Sequence, residues 1–235
     1  MLAIYKREMK AYFSTFIGYA FIASFLIISG VFFTLAVMSQ AADADVTVYY
    51  AGVIYSFVVL IPLLTMKLFT DEKRLRTETV LLTAPVSLFS IVFAKFLAAF
   101  TMFSMTLGIS CINLIPMYVY GDQNTMIILG NLLSILLIGA AFISVGVFLS
   151  SVTENQLVAA VSTIAVIGLF LVIGMFSTSI GFTPLRVVLN FFSVFNRYTY
   201  FTYGIIDYAA LIYYLSISVL FIFLTVRVFE RRRWA

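Results

Sequence analysis

Six long apolar runs, at 17–39, 48–66, 92–119, 126–149, 157–177 and 208–229, constrain this chain more than any other feature. Each reaches the roughly 20 residues a helix needs to cross a hydrocarbon core about 30 Å thick. Only 10% of the residues are charged and 63% are hydrophobic, whereas a soluble domain carries about 25% charge. The expectation is an all-α integral membrane protein with six transmembrane helices, one unit over 1–235 with no soluble domain.

The charges orient the spans. Lys6, Arg7 and Lys10 precede the first run, Lys67, Lys73, Arg74, Arg76 and Lys95 surround the second connection, and Arg227, Arg231, Arg232 and Arg233 end the last. The other side holds Asp43, Asp45, Asp122 and Asp207 with only Arg186 and Arg197. The bias of basic residues places both termini in the cytoplasm of a multi-pass protein of the cell membrane. The net charge of +4 follows from these short flanking clusters. With no stacking platform beside them, they do not point to nucleic acid.

In residues 1–16, Leu2, Tyr5, Met9, Tyr12, Phe13 and Phe16 recur at helical spacing, with Lys6, Arg7, Lys10 and Ser14 on the remaining face. This predicts a helix lying in the membrane interface, with a bend into the first span at Gly18 and Tyr19. The basic start and Ser39-Gln40-Ala41 faintly resemble a signal peptide, but the apolar run is longer than such segments use, so it is read as a span. Pro62 and Pro116 each remove a backbone hydrogen bond from a span, and Asn113, one turn before Pro116, can satisfy a freed group or touch substrate or lipid. Gly139, Ala140, Ser144 and Gly146 form a small-residue surface, explained equally by packing within the subunit or by dimerisation.

In the turn SSVTENQ at 150–156, Thr153 or Asn155 is placed to cap the fifth span, and Glu154 favours a helix N-terminus. The stretch 178–207, rich in Phe and Tyr, is too long for a tight connection and too apolar for a free loop. It predicts one or two re-entrant helices in the outer leaflet. There Arg186 and Arg197 either snorkel to headgroups or face an anionic substrate, and Asp207 caps the sixth span.

The usual catalytic groups are missing. There is no histidine, and Cys111 is the single cysteine, so Ser-His and Cys-His pairs, histidine zinc sites and disulfides are excluded. No apolar run contains a carboxylate, and Lys95 reads as a snorkelling residue at the end of the third. With no phosphate-binding G-x-x-x-x-G-K-[ST] loop, any ATP and Mg²⁺ belong to another polypeptide, and no cofactor is expected in this chain.

The segment at 70–87, TDEKRLRTETVLLTAPVS, interrupts this pattern. Asp71 and Glu72 suit the first turn of a short helix parallel to the membrane, Leu75, Val80, Leu81 and Leu82 supply apolar contacts, and Pro85 suits its stop. Such a segment is either a handle for a soluble partner or a solvated loop.

EKRLRTETVLLTAPVS is similar to the first cytoplasmic loop of ABC-2 type permeases, closest to the small six-span subunits of the gliding-motility and copper/nitrous-oxide-maturation branch. IYKREMKAYFSTFIGYAF resembles that family's interfacial helix and first-span entry. SSVTENQLVAA resembles its second cytoplasmic turn, and YGIIDYAALIYYLSISVLFIFLTVRVFERRRW its last span and basic tail. Many members carry a glycine where this chain has Arg76, and a proline where it has Phe16.

The resemblance implies a permease subunit, not itself an enzyme, working with a cytoplasmic ATPase dimer and with a second copy or a related membrane subunit. A membrane-anchored extracytoplasmic subunit also serves some relatives. The loop would be the coupling helix, contacting the ATPase through Asp71, Glu72, Arg74, Arg76, Thr77, Glu78, Leu81, Leu82 and Pro85. Lys6, Glu8, Thr153, Glu154 and Asn155 would add secondary contacts. Export is expected from the family alone; a complex transmitting force or signal without transport is the alternative, and a membrane enzyme a weaker one.

Overall fold

The structure, a computed structural model, describes residues 1–38, 46–76, 86–116, 124–177, 193–205 and 207–233. Its described elements are helical. They are α1 (Leu2–Ser14), α2 (Phe16–Met38), α3 (Val46–Thr65), α4 (Lys67–Arg74), α5 (Leu88–Ser110), α6 (Thr125–Val152), α7 (Gln156–Ser177), α8 (Val194–Thr202) and α9 (Tyr208–Arg233). Six helices are long and apolar enough to cross a membrane, and α3 with α4 counts as one of them, Thr47–Arg74. The second span thus runs on past its apolar run, and its end carries Asp71 and Glu72.

Helix starts follow local capping chemistry. Ser87 caps α5 by accepting from the Ser90 N–H, Asn124 caps α6 through the Met126 N–H, and Asn155 caps α7 through the Leu157 N–H at 2.9 Å. Asp207 accepts from the Ala209 N–H at 2.9 Å, the cap expected for the sixth span. Thr153 belongs to the preceding helix instead, its hydroxyl donating to the Leu149 carbonyl at the end of α6.

The bundle is built around α6, which touches α3, α4, α5, α7, α8 and α9. Two-thirds of its most apolar stretch is buried (67%), against 22% for α2. Its small residues make this position available. A Cβ on Gly139 would lie 2.3 Å from the Phe103 ring, and one on Gly146 would lie 2.3 Å from the Thr65 hydroxyl. Close approach within the subunit therefore uses the small surface the sequence displays.

Three expectations shift. The bend after α1 falls at Thr15, in an extended conformation, not at Gly18 and Tyr19. Gly18 is needed instead for close approach: a Cβ there would sit 2.2 Å from the Tyr12 carbonyl oxygen. Of the proposed apolar face of α1, Tyr5, Met9 and Tyr12 pack on the core, while Leu2, Phe13 and Phe16 stay exposed. Asn113 does not serve the backbone near Pro116. Its amide donates to Ser29 Oγ at 3.0 Å, and Ser29 pairs with the Tyr49 hydroxyl at 2.7 Å.

Within the expected re-entrant stretch, the described part is the single helix α8, laid on α6 and α7. Tyr198 donates to Asn131 Oδ1, and the Tyr214 hydroxyl donates to the Val194 carbonyl at 2.8 Å. Arg197 stacks on the Tyr213 ring, 4.2 Å from its centroid. Arg186 lies outside the described residues.

Candidate functional site

At the basic end of the bundle, α4 is tied to its surroundings on both flanks. The tie begins with a backbone problem. The helix α3 breaks at Met66, one turn after Pro62, and a buried break leaves polar backbone groups to be satisfied. Ser150 of α6 answers it: its hydroxyl accepts from the Phe69 N–H at 3.1 Å and donates to the Met66 carbonyl at 3.4 Å. The chain can then restart as α4, in contact with α6 and α7.

One flank faces α1 and α5. Lys95 of α5 is 1% exposed, and its ammonium lies 3.1 Å from Glu8 Oε1 and 2.9 Å from Glu72 Oε1. Its third hydrogen bond goes to the Leu68 carbonyl, so all three N–H donors are used. The Phe69 ring lies beneath it at 4.8 Å. Arg7 bridges the same two carboxylates, 2.6 Å from each. Two cations thus balance two anions, which is what makes a buried charge tolerable. Burial lowers the pKa of Arg7, but Glu8 and Glu72 outweigh it and hold the guanidinium above its ordinary value. Tyr12 completes the seat of α1, donating to the Leu64 carbonyl at 2.9 Å. Burial, with the Glu8 charge added, pushes its phenol pKa up.

The other flank faces the α6–α7 turn. Lys73 donates to the carbonyls of Ser151 and of Thr153, the latter at 3.2 Å. Gln156 donates its side-chain amide to Asp71. A cleft of about 580 Å³ lies alongside, lined by Lys73, Arg74, Arg76, Glu154, Asn155 and Gln156 among others.

The expected site residues separate into two sets. Glu8, Asp71, Glu72 and the Thr153 carbonyl are drawn together around α4, whereas Lys6, Arg74, Arg76, Glu154 and Asn155 are exposed. Thr77, Glu78, Leu81, Leu82 and Pro85 lie outside the described residues. Asp71 and Glu72 stand in the second half of α4, not in a first turn, because the helix begins at Lys67. Lys95 does not snorkel; two carboxylates and a carbonyl hold it inside the bundle.

Arg76 follows the Leu75 cap with φ of 54°. That left-handed geometry is what glycine supplies most cheaply at a helix end. Sequence reasoning missed the roles of Arg7, Lys73, Lys95, Ser150 and Gln156. Their partners on other helices are 23 to 87 positions away, so no local spacing announces them.

Six apolar helices, with a charged assembly at one end and the second span extended into it, define a multi-pass helical membrane protein. Residues 57–234 match the profile of the ABC-2 family transporter proteins, and the chain belongs to that family. It is accordingly a transmembrane subunit of an ABC transporter and not itself the catalytic one, and membership implies association with a cytoplasmic ABC ATPase. No curated protein matches the chain.

Proposed function

We propose that this chain is the permease subunit of an ATP-driven exporter, placed in the cell membrane with both termini in the cytoplasm. Two copies of the fold, or one copy and a related membrane subunit, would join an ATPase dimer that binds ATP and Mg²⁺. The four quoted motifs favour the gliding-motility and copper/nitrous-oxide-maturation branch, where a membrane-anchored extracytoplasmic subunit is a further partner.

The observation that carries the mechanism is the double tie of α4. It continues the second span, joins α1 through Glu72, and joins the α6–α7 turn through Asp71 and Lys73. A push on the segment following α4 would therefore reach the second, third and fourth spans together. The ATPase moves the equilibrium between two bundle arrangements only by binding one better than the other. In this reading Arg74, Arg76, Thr77, Glu78, Leu81, Leu82 and Pro85 meet the ATPase, Glu78, Leu81 and Leu82 foremost. Glu8, Asp71 and Glu72 transmit the motion inward, and Lys6, Thr153, Glu154 and Asn155 border the contact.

The test is the double variant Glu78→Ala/Leu82→Ala in the complex purified from its native membrane. Loss of ATPase association or stimulation, with insertion intact, is expected; unchanged stimulation rejects the placement of the contact. Reporters at Asp43, Ser87, Asp122, Asn155 and Asn190 check the topology, and an external signal from Ser87 removes the mechanism. ATP-dependent transport into vesicles distinguishes export from force transmission without transport.

A further inference from the structure

We propose that the cavity between α1, the α1–α2 joint, α4 and α5 binds the headgroup of a phospholipid bearing both a phosphate and a primary ammonium. The cavity holds about 470 Å³. That lies within the roughly 300–1,000 Å³ of sites that enclose a small ligand.

Its charged walls are balanced: Arg7, Lys67 and Lys95 against Glu8, Asp71 and Glu72, three of each sign. A ligand with a net negative charge gains little from a wall whose charges sum to zero. A zwitterion, with its two charges a few bonds apart, can satisfy both signs at once.

The bonding within the wall shows which groups remain to do so. Arg7 and Lys95 are committed to Glu8 and Glu72. Lys67 is half-buried, and among the described residues its ammonium has no ion pair or hydrogen bond. Both bonds of Glu8 fall on Oε1 and the Gln156 bond falls on Asp71 Oδ1, which leaves Glu8 Oε2 and Asp71 Oδ2 as acceptors. Lys67 thus offers a point charge for a phosphate, and the two carboxylates offer oxygens for an ammonium. A primary ammonium has three N–H donors to give them, whereas a quaternary one has none.

The remaining wall is apolar and leads outward. Tyr12, with its hydroxyl spent on Leu64, presents its ring, beside Leu68 and Ile17. Thr15 and Ile17 line the cavity, while Phe16 between them is 83% exposed. A lipid seated by its headgroup would find this apolar exterior next to its acyl chains.

The inference needs the chain in a bilayer, not the transport reading, and its readout is lipid retention, so either can fail without the other. The experiment is native mass spectrometry of the full-length chain in detergent, titrated with phosphatidylethanolamine, phosphatidylcholine and phosphatidylglycerol of identical acyl chains. Phosphatidylethanolamine should be retained about tenfold better than the other two, the size of one charge-assisted hydrogen bond. Lys67→Met should weaken retention of phosphatidylethanolamine and phosphatidylcholine alike while melting, free of lipid, like the wild type, and Lys67→Arg should keep retention. Asp71→Asn should shrink the preference for phosphatidylethanolamine over phosphatidylcholine. Equal retention of the three lipids by the wild type, preference for phosphatidylglycerol, unchanged retention in Lys67→Met, or an unchanged preference for phosphatidylethanolamine in Asp71→Asn would overturn the assignment. So would full competition by equimolar glycerophosphoethanolamine, since the ligand would then be a free headgroup and not a lipid.

Discussion

The Phe69 backbone N–H donates to the Ser150 hydroxyl at 3.1 Å, joining positions 81 apart at the break between α3 and α4. Ser150→Ala removes this acceptor from a buried donor. The cost should be about 1–3 kcal/mol, the desolvation penalty of an orphaned amide. Thermal unfolding in detergent would measure it, and faster hydrogen exchange at Phe69 would localise it. Unchanged exchange there would mean that the break is not held by Ser150.

Lys95→Met should be among the most destabilising single changes. It leaves Glu8 and Glu72 facing each other with only the half-exposed Arg7 between them. Removing one partner of a buried ionic group costs about 3–5 kcal/mol. Adding Glu72→Gln to that variant should recover part of the loss, because the surplus negative charge falls by one. A double variant no more stable than Lys95→Met alone would show that the charges are not coupled.

Glycines of the first and third spans should separate sharply. Gly18→Ala puts a Cβ 2.2 Å from a backbone oxygen, so the α1–α2 joint must move, at about 1–3 kcal/mol. Gly30→Ala and Gly108→Ala meet nothing within 4 Å and should be neutral or stabilising by up to about 1 kcal/mol. Melting temperatures of the three variants, in one detergent, decide the matter.

Tyr198 and Asn131 form a buried pair between α8 and α6. Asn131→Ala removes the acceptor of the Tyr198 hydroxyl and should cost about 1–3 kcal/mol. Tyr198→Phe added to it should restore much of the stability. A double-mutant cycle with a coupling near zero would count against this bond.

Arg76→Gly should stabilise the end of α4, since φ of 54° costs an ordinary L residue about 1–2 kcal/mol. Arg76→Val should do the reverse. Loss of the Arg76 side chain's own interactions sets a limit on the gain. Equal melting temperatures for the glycine and valine variants would rule out a left-handed residue here.

Much of this was legible in the residues. The apolar runs placed the spans, Asn155 and Asp207 declared helix starts, and the small residues of α6 marked a close-packed face, because each signal lies within a turn or two of helix. The charged end was not legible in the same way. Lys95 carries no mark that tells a snorkelling lysine from one held by Glu8 and Glu72. Asp71 and Glu72 suit a helix start until Ser150, from another span, allows the helix to begin four residues earlier, at Lys67.

The sequence by itself determined which six runs are long and apolar enough to cross a membrane and which end of the bundle is basic. Hydrophobic length and the distribution of lysine and arginine are one-dimensional quantities, readable without a fold. The tertiary structure alone decided which charges neutralise one another, where the second span breaks, and which side of α1 is buried. Those depend on distances between residues dozens of positions apart, and a carboxylate's role changes once a buried ammonium lies within 3 Å of it.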